Sequence, residues 1–182
     1  IVAACPGRTI VVATSGMAAA NVGGITVHSQ FLFPPTVLRF CDPQVVYPLG
    51  EDDRRTFELA EFIVIDEVSM LRADVLDAID WRLRNTLGYR DRPFAGKRVV
   101  LVGDLLQLDP VVSQADREFL AQDWPKGHFF FHANVWQTAR LHAYELSVEH
   151  RHSHDQEFIA CLRRLQNGES GVVLHDLNDL VS

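Results

Sequence analysis

Two adjacent carboxylates, Asp66 and Glu67, close the apolar run Phe62-Ile63-Val64-Ile65. A continuous run of this kind predicts a strand buried on both faces, and ligands of open α/β sheets collect at the carboxyl ends of such strands. Phosphoryl transfer needs two acids in that position. Asp66 would hold Mg²⁺ directly or through water, and Glu67 would polarise the attacking water. A strand that simply ends in solvated acids gives the same pattern, so the pair alone leaves both readings open. A second run, Arg98-Val99-Val100-Leu101-Val102, ends in Gly103-Asp104, with Gln107 three residues on. A glutamine amide donates one hydrogen bond and accepts another. Beside a γ-phosphate, Gln107 would sense nucleotide state without adding charge. A capping Asp104 with a surface Gln107 is the plain alternative, and two strands that both end in acids weigh against it.

The third segment is Ala13-Thr14-Ser15-Gly16-Met17-Ala18-Ala19-Ala20-Asn21 followed by Val22-Gly23-Gly24. Thr14 or Ser15 can cap an Ala-rich helix whose first N–H groups suit a phosphate, and an ordinary capped turn reads the same way. The histidines His150, His152 and His154 alternate, but Ser153 reads as a helix cap that breaks the alternation. No acid or cysteine at useful spacing completes a metal site there. Arg82, Arg84, Arg90, Arg92, Lys97 and Arg98 cluster with only Asp91 between them, which reads as a solvated helix end and loop.

These residues need elements to hold them. Thr9–Thr14, 62–65 and 98–102 predict strands, with a weaker run over 141–148. Helical spacing of Val75, Ile79, Leu83 and Leu87 predicts a helix over 71–87. A second helix is predicted over 153–166, from the Ser153-to-Gln156 capping pattern to the stop at Gly168. Strands alternating with helices predict an α/β fold with a parallel sheet. The proline- and charge-rich stretch 33–55 reads as a loop or small excursion. At 182 residues, with 47% hydrophobic and 23% charged residues, the chain suits one globular domain. No apolar run is long enough to span a membrane, and three cysteines without C-x-x-C spacing suit a reducing compartment. Lys and Arg number 17 against 24 Asp and Glu, a net charge of −7, which argues against a simple DNA-coating module. The first residue is Ile, without a signal-peptide layout, which suggests a chain cut from something longer.

Taken in order, Thr14-Ser15-Gly16-Met17-Ala18-Ala19, Gly24-Ile25-Thr26-Val27-His28-Ser29, Ile65-Asp66-Glu67-Val68-Ser69-Met70 and Gly103-Asp104-Leu105-Leu106-Gln107-Leu108-Asp109-Pro110-Val111 resemble successive motifs of the petite-integration-frequency (PIF) helicase family, relatives of the RecD-type helicases. Residues 131–136, Leu146, Glu149-His150-Arg151-His152 and 155–168 resemble the last stretch of that family's first motor domain. The resemblance implies a RecA-like P-loop NTPase domain and an ATP-driven helicase that moves 5′ to 3′ on single-stranded DNA and opens forked duplexes. It implies roles in DNA repair, recombination and telomere maintenance. It implies an intracellular protein, cytoplasmic if bacterial and nuclear or mitochondrial if eukaryotic.

By the same resemblance Glu67, Gln107 and Arg151 are catalytic. Asp66, Asp104, Gln107 and Arg151 hold ATP and its Mg²⁺, with Asp66 the metal ligand. Thr14, Ser15, Gly16, Thr26, His28 and Ser29 lie along the single strand. Phe31 would either stack on a base or fill the core.

Asp109 stands where the family usually has proline, and His152 where it usually has glutamine. No G-x-x-x-x-G-K-[ST] occurs, so the phosphate-cradling loop and its lysine are absent from this sequence. Residues 1–169 are therefore expected to form a partial first motor domain with the P-loop strand missing from its sheet. Residues 170–182 would begin the connection to a second motor domain. This chain alone is expected to hydrolyse no ATP at a useful rate. Rival readings are a truncated, non-catalytic nucleic-acid-binding paralogue and a RecD-type or relaxase-associated helicase.

Overall fold

The computed structural model describes residues 3–146 together with 160, 164 and 168. The chain divides into two compact units, residues 1–141 and 142–182. In the second unit, 142–146 have no regular structure, Ala160 and Arg164 are helical and Gly168 lies in a turn. The predicted helix over 153–166 and Arg151 fall otherwise outside the described residues. The weak run over 141–148 forms no strand through Leu146, where the side chain is exposed.

The first unit is a parallel sheet with helices. Its elements are β1 (Thr9–Ala13), α1 (Gly16–Asn21), β2 (Ile25–Thr26), α2 (Val27–Phe31), α3 (Pro43–Val46), α4 (Glu51–Leu59), β3 (Phe62–Asp66), α5 (Ala73–Leu87), β4 (Arg98–Leu101), α6 (Gln114–Asp123) and α7 (Asn134–Thr138). The strand order is β2-β1-β3-β4, and all three pairings are parallel. This is the predicted α/β architecture. Ala13 pairs with Thr26 on one side and Asp66 on the other, so the three strands end level with one another. Among the described residues no strand pairs with the outer edge of β4.

Val12, Ile63 and Ile65 are fully buried and pack with Val27, Phe31, Phe57, Leu76, Ile79 and Leu83. Phe31 stacks on Phe57 at 5.1 Å, so it fills the core and is closed to a base. The stretch 33–55, expected to be a loop or small excursion, contains α3 and the start of α4. That helix shows no apolar stripe because only Phe57 is buried. Glu51, Asp52 and Asp53 in its first turn suit the positive end of the helix dipole instead.

Helix α5 is the hub of the unit, and three of its acids are buried at spacing three. Asp74 accepts from Leu38 N at 2.9 Å and pairs with Arg72 at 2.6 Å. Asp77 accepts from Trp124 Nε1 and from the backbone N–H groups of Asn134 and Val135 at 2.8–2.9 Å, capping α7 from another helix. Asp80 accepts from Phe94 N and pairs with Arg84 at 2.8 Å. Burial raises the pKa of Asp80, outweighing the opposing pull of Arg84 and the Phe94 N–H. Each acid thus ties a different peripheral segment to the core, where an unpaired backbone N–H would be costly.

Candidate nucleotide and nucleic-acid site

The chemistry-bearing residues gather at the carboxyl end of the sheet. Asp66 is the last residue of β3. Glu67 follows with φ 53° and ψ 46°, a left-handed conformation that is uncommon outside glycine. Three contacts hold that turn. Thr14 Oγ1 donates to the Glu67 carbonyl at 3.0 Å, Val68 N donates to Val102 O at 2.9 Å, and Val102 N donates to Ile65 O at 2.9 Å. Gly103 is required here, because a Cβ would sit 2.8 Å from Val68 N. The carboxylates of Asp66 and Glu67, both half-buried, have no hydrogen-bond or ion-pair partner among the described residues. Ser69 Oγ, just beyond, is buried and also without a hydrogen-bond partner.

Asp104 is used differently. One of its oxygens accepts from Leu106 N at 3.0 Å and the other from Gln107 Nε2 at 3.2 Å. Here it organises the turn that presents Gln107, whose own backbone N–H bonds to Asp104 O at 3.1 Å. Leu105, Leu106 and Leu108 are exposed around it.

The ends of the neighbouring strands β1 and β2, with the first turns of α1 and α2 that follow them, carry the residues expected along a nucleic acid. Ser15 Oγ caps α1 by accepting from Ala18 N at 3.2 Å, and Gly16 opens that helix. Thr26 Oγ1 caps α2 by accepting from Ser29 N at 3.2 Å and lies 2.8 Å from Ser29 Oγ. Thr14 and His28 line one cavity of about 190 Å³ with Val27, Met70, Leu71, Arg72, Val75 and Val111. Burial first, then the nearby Arg72 cation, lowers the His28 pKa, with Asp74 opposing. His28 is therefore a neutral imidazole at pH 7, able to donate or accept a hydrogen bond but adding no charge. Gly24 fits this corner because a Cβ there would meet Val11 O at 2.4 Å. The segment after Gln107 runs from the acids to this cavity, where Val111 forms part of the wall.

Residues 3–173 match a family model described as PIF1-like helicase. The chain belongs to the PIF1-like helicase family. It is 32% identical over 161 residues to the ATP-dependent DNA helicase PIF1 of Saccharomyces cerevisiae, covering 87% of this chain and 17% of that protein. It is similar to a Pif1 chain solved in a study of DNA unwinding at forked duplexes by two coordinating helicases. There the TM-score is 0.88 at 36% identity, over 98% of this chain and 43% of that one. It is similar also to Bacteroides Pif1 in complex with ADP-AlF3 and single-stranded DNA, with a TM-score of 0.80 at 38% identity, over 88% of this chain and 36% of that one. The chain spans roughly a fifth of the curated relatives and about two fifths of these solved chains.

In this PIF1-like chain, no group of three or more His, Cys, Asp or Glu residues converges as a metal site among the described residues. Mg²⁺ in a nucleotide site takes one or two protein carboxylates and fills its shell with phosphates and water. The unpartnered Asp66 and Glu67 are such donors. The sequence reading did not single out Arg72, although it lines the cavity beside His28 and pairs with the buried Asp74. Tertiary contacts mark it: Arg72 donates to Thr36 O at 2.8 Å and shares the cavity wall with His28. Among the described residues no helix is long and apolar enough to cross a membrane.

Proposed function

We propose that this chain forms the acidic side of the nucleotide site, with the adjoining single-strand contact, in an ATP-driven DNA helicase of the PIF1-like family. The observation that carries this reading is the pair of unpartnered carboxylates at the end of β3, joined by the Thr14 hydroxyl to the strand that carries the nucleic-acid residues. Asp66 holds the Mg²⁺ of bound ATP, which neutralises charge on the phosphates when present. Glu67 orients and polarises the attacking water. Asp104 holds Gln107 toward the γ-phosphate, and Arg151 neutralises charge developing during transfer. Thr14, Ser15, Gly16, Thr26, His28 and Ser29 contact phosphates and sugars of the single strand. Residues 1–169 form part of the first motor domain, and 170–182 begin the connection to a second. The exposed Leu105, Leu106 and Leu108 beside Gln107 suit packing against further parts of such a motor. In this reading the whole motor moves 5′ to 3′ on single-stranded DNA inside the cell.

Grafting residues 3–146 in place of the matching segment of Bacteroides Pif1 tests the assignment. The graft should hydrolyse ATP when single-stranded DNA is added, and Glu67→Gln should cut the rate about a hundredfold or more while ATP still binds. Unchanged turnover in that variant would refute the role of Glu67. The isolated chain, which has no G-x-x-x-x-G-K-[ST], should show no turnover above background with single-stranded DNA.

A further inference from the structure

The six basic residues between 82 and 98 do not act alike. Arg82 is buried and donates to Tyr47 O at 2.9 Å. Arg84 pairs with Asp80 and donates to Arg90 O at 2.9 Å. Lys97 turns its ammonium onto the carbonyls of Glu58 and Ala60 at 3.1 and 2.7 Å. Arg90, Arg92 and Arg98 remain. All three are exposed, and none forms an ion pair among the described residues.

They are held on a rigid support. The loop 88–97 has left-handed backbone at Gly88, Phe94, Ala95 and Gly96, and strain at non-glycine positions persists only where the surroundings enforce it. The buried Asp80 enforces it here, through Phe94 N, and Arg84 ties down the Arg90 carbonyl. The Arg92 guanidinium lies over the exposed Tyr89 ring at 6.0 Å, and that of Arg98 over Phe62 at 5.3 Å. Such stacking orders a guanidinium while leaving its N–H groups free to donate. The acids nearby are few. Glu58 pairs with Arg54 and Glu61 with Arg8, leaving Asp91. Arg98 begins β4 beside Phe62 of β3, at the opposite end of the sheet from Asp66 and Glu67, and Arg90 and Arg92 lie in the loop that leads into it, with the Arg92 side chain against Gly96.

We propose that Arg90, Arg92 and Arg98 form a second nucleic-acid contact, binding the phosphodiester backbone at the amino end of the sheet. The identity of the polymer rests on the helicase reading above; the contact is separate from the Thr14–Ser29 surface. Charge complementarity and planar, pre-ordered guanidiniums favour phosphate.

The test is fluorescence anisotropy of the whole chain with labelled single-stranded and duplex oligonucleotides across a salt series. The triple variant Arg90→Gln/Arg92→Gln/Arg98→Gln should bind about tenfold more weakly at low salt. Its log–log salt slope should be shallower by about two to three. The matching Arg→Lys triple, which keeps the charge, should retain most of the affinity and slope. The arm that loses more, single strand or duplex, identifies the form held there. Binding with unchanged affinity and slope in the glutamine triple overturns the second contact but not the helicase reading. No binding of either oligonucleotide by the unaltered chain overturns both. Displacement of DNA by polyglutamate at equal charge concentration assigns the patch to an acidic protein segment and also overturns it.

Discussion

The two ends of this parallel sheet are built by different means. At the carboxyl end, Asp66 and Glu67 stand without partners, and backbone constraints hold their turn: the Thr14 hydroxyl, the left-handed Glu67 and the missing Cβ of Gly103. At the amino end, arginines stand without carboxylates, and a buried side chain, Asp80, holds their loop. An unpartnered charge is costly when buried and cheap when solvated, and each end keeps its free charges half-buried or exposed. The formal charge of −7 averages over these two ends and describes neither.

The contrast can be broken most severely at the amino end. Asp80→Ala leaves the Phe94 N–H buried without an acceptor and frees Arg84, and should cost about 3 kcal/mol in urea unfolding. Protease cleavage within 88–97 should become faster, since the strained loop loses its anchor. At the carboxyl end the equivalent change is Gly103→Ala. A Cβ 2.8 Å from backbone must push the Glu67 turn away, for about 2 kcal/mol, measured the same way.

A smaller effect comes from His28. Its folded pKa lies below the ordinary value of 6.5, so the unfolded chain binds the proton more readily. The stability this contributes is full above 6.5 and is lost as the pH falls toward the folded pKa. Urea midpoints should therefore drop between pH 7.5 and pH 5.5, and His28→Gln should flatten part of that drop. His128, lowered chiefly by burial and by Arg117, should supply a share with the same sign. The smallest effect should be Arg98→Gln, which removes an exposed cation lying over Phe62. It should change stability by less than about 0.5 kcal/mol, a ceiling that separates its binding role from a structural one.

Much of this was legible in advance. The runs at 9–14, 62–65 and 98–102 show their strands as continuous β-branched apolar runs, but the expected burial on both faces is not observed: burial alternates along β1 and β3, and no residue of β4 is fully buried. The helix over 71–87 shows itself through its apolar spacing and begins two residues later, at Ala73. Helix α4 stayed hidden because a single phenylalanine anchors it. Over 141–146 the weak run forms no strand, and the rest of it lies outside the described residues; apolar composition alone does not make a strand without a neighbour to pair with. Among the candidate site residues, Asp66 and Glu67 were visible as acids that end an apolar run, and Gln107 as an amide three residues past the acid that ends another. The position of Arg72 beside His28 was not, since the two lie far apart in sequence and meet only in the folded chain.

By itself the sequence determined β1, β3 and β4 but not the two-residue β2, and it determined which residue types close those strands and which family the motifs resemble, because those depend on local composition and order. Only the tertiary structure decided which charges remain available. Lys97 and Arg98 are neighbours in sequence, yet one is spent on helix carbonyls and the other is free. Asp66 and Asp104 both end apolar runs, yet one is free and the other holds Gln107. The physical reason is that a charged side chain's role is set by what lies within about 3 Å of it, and for Lys97 those neighbours lie 39 and 37 residues away in sequence.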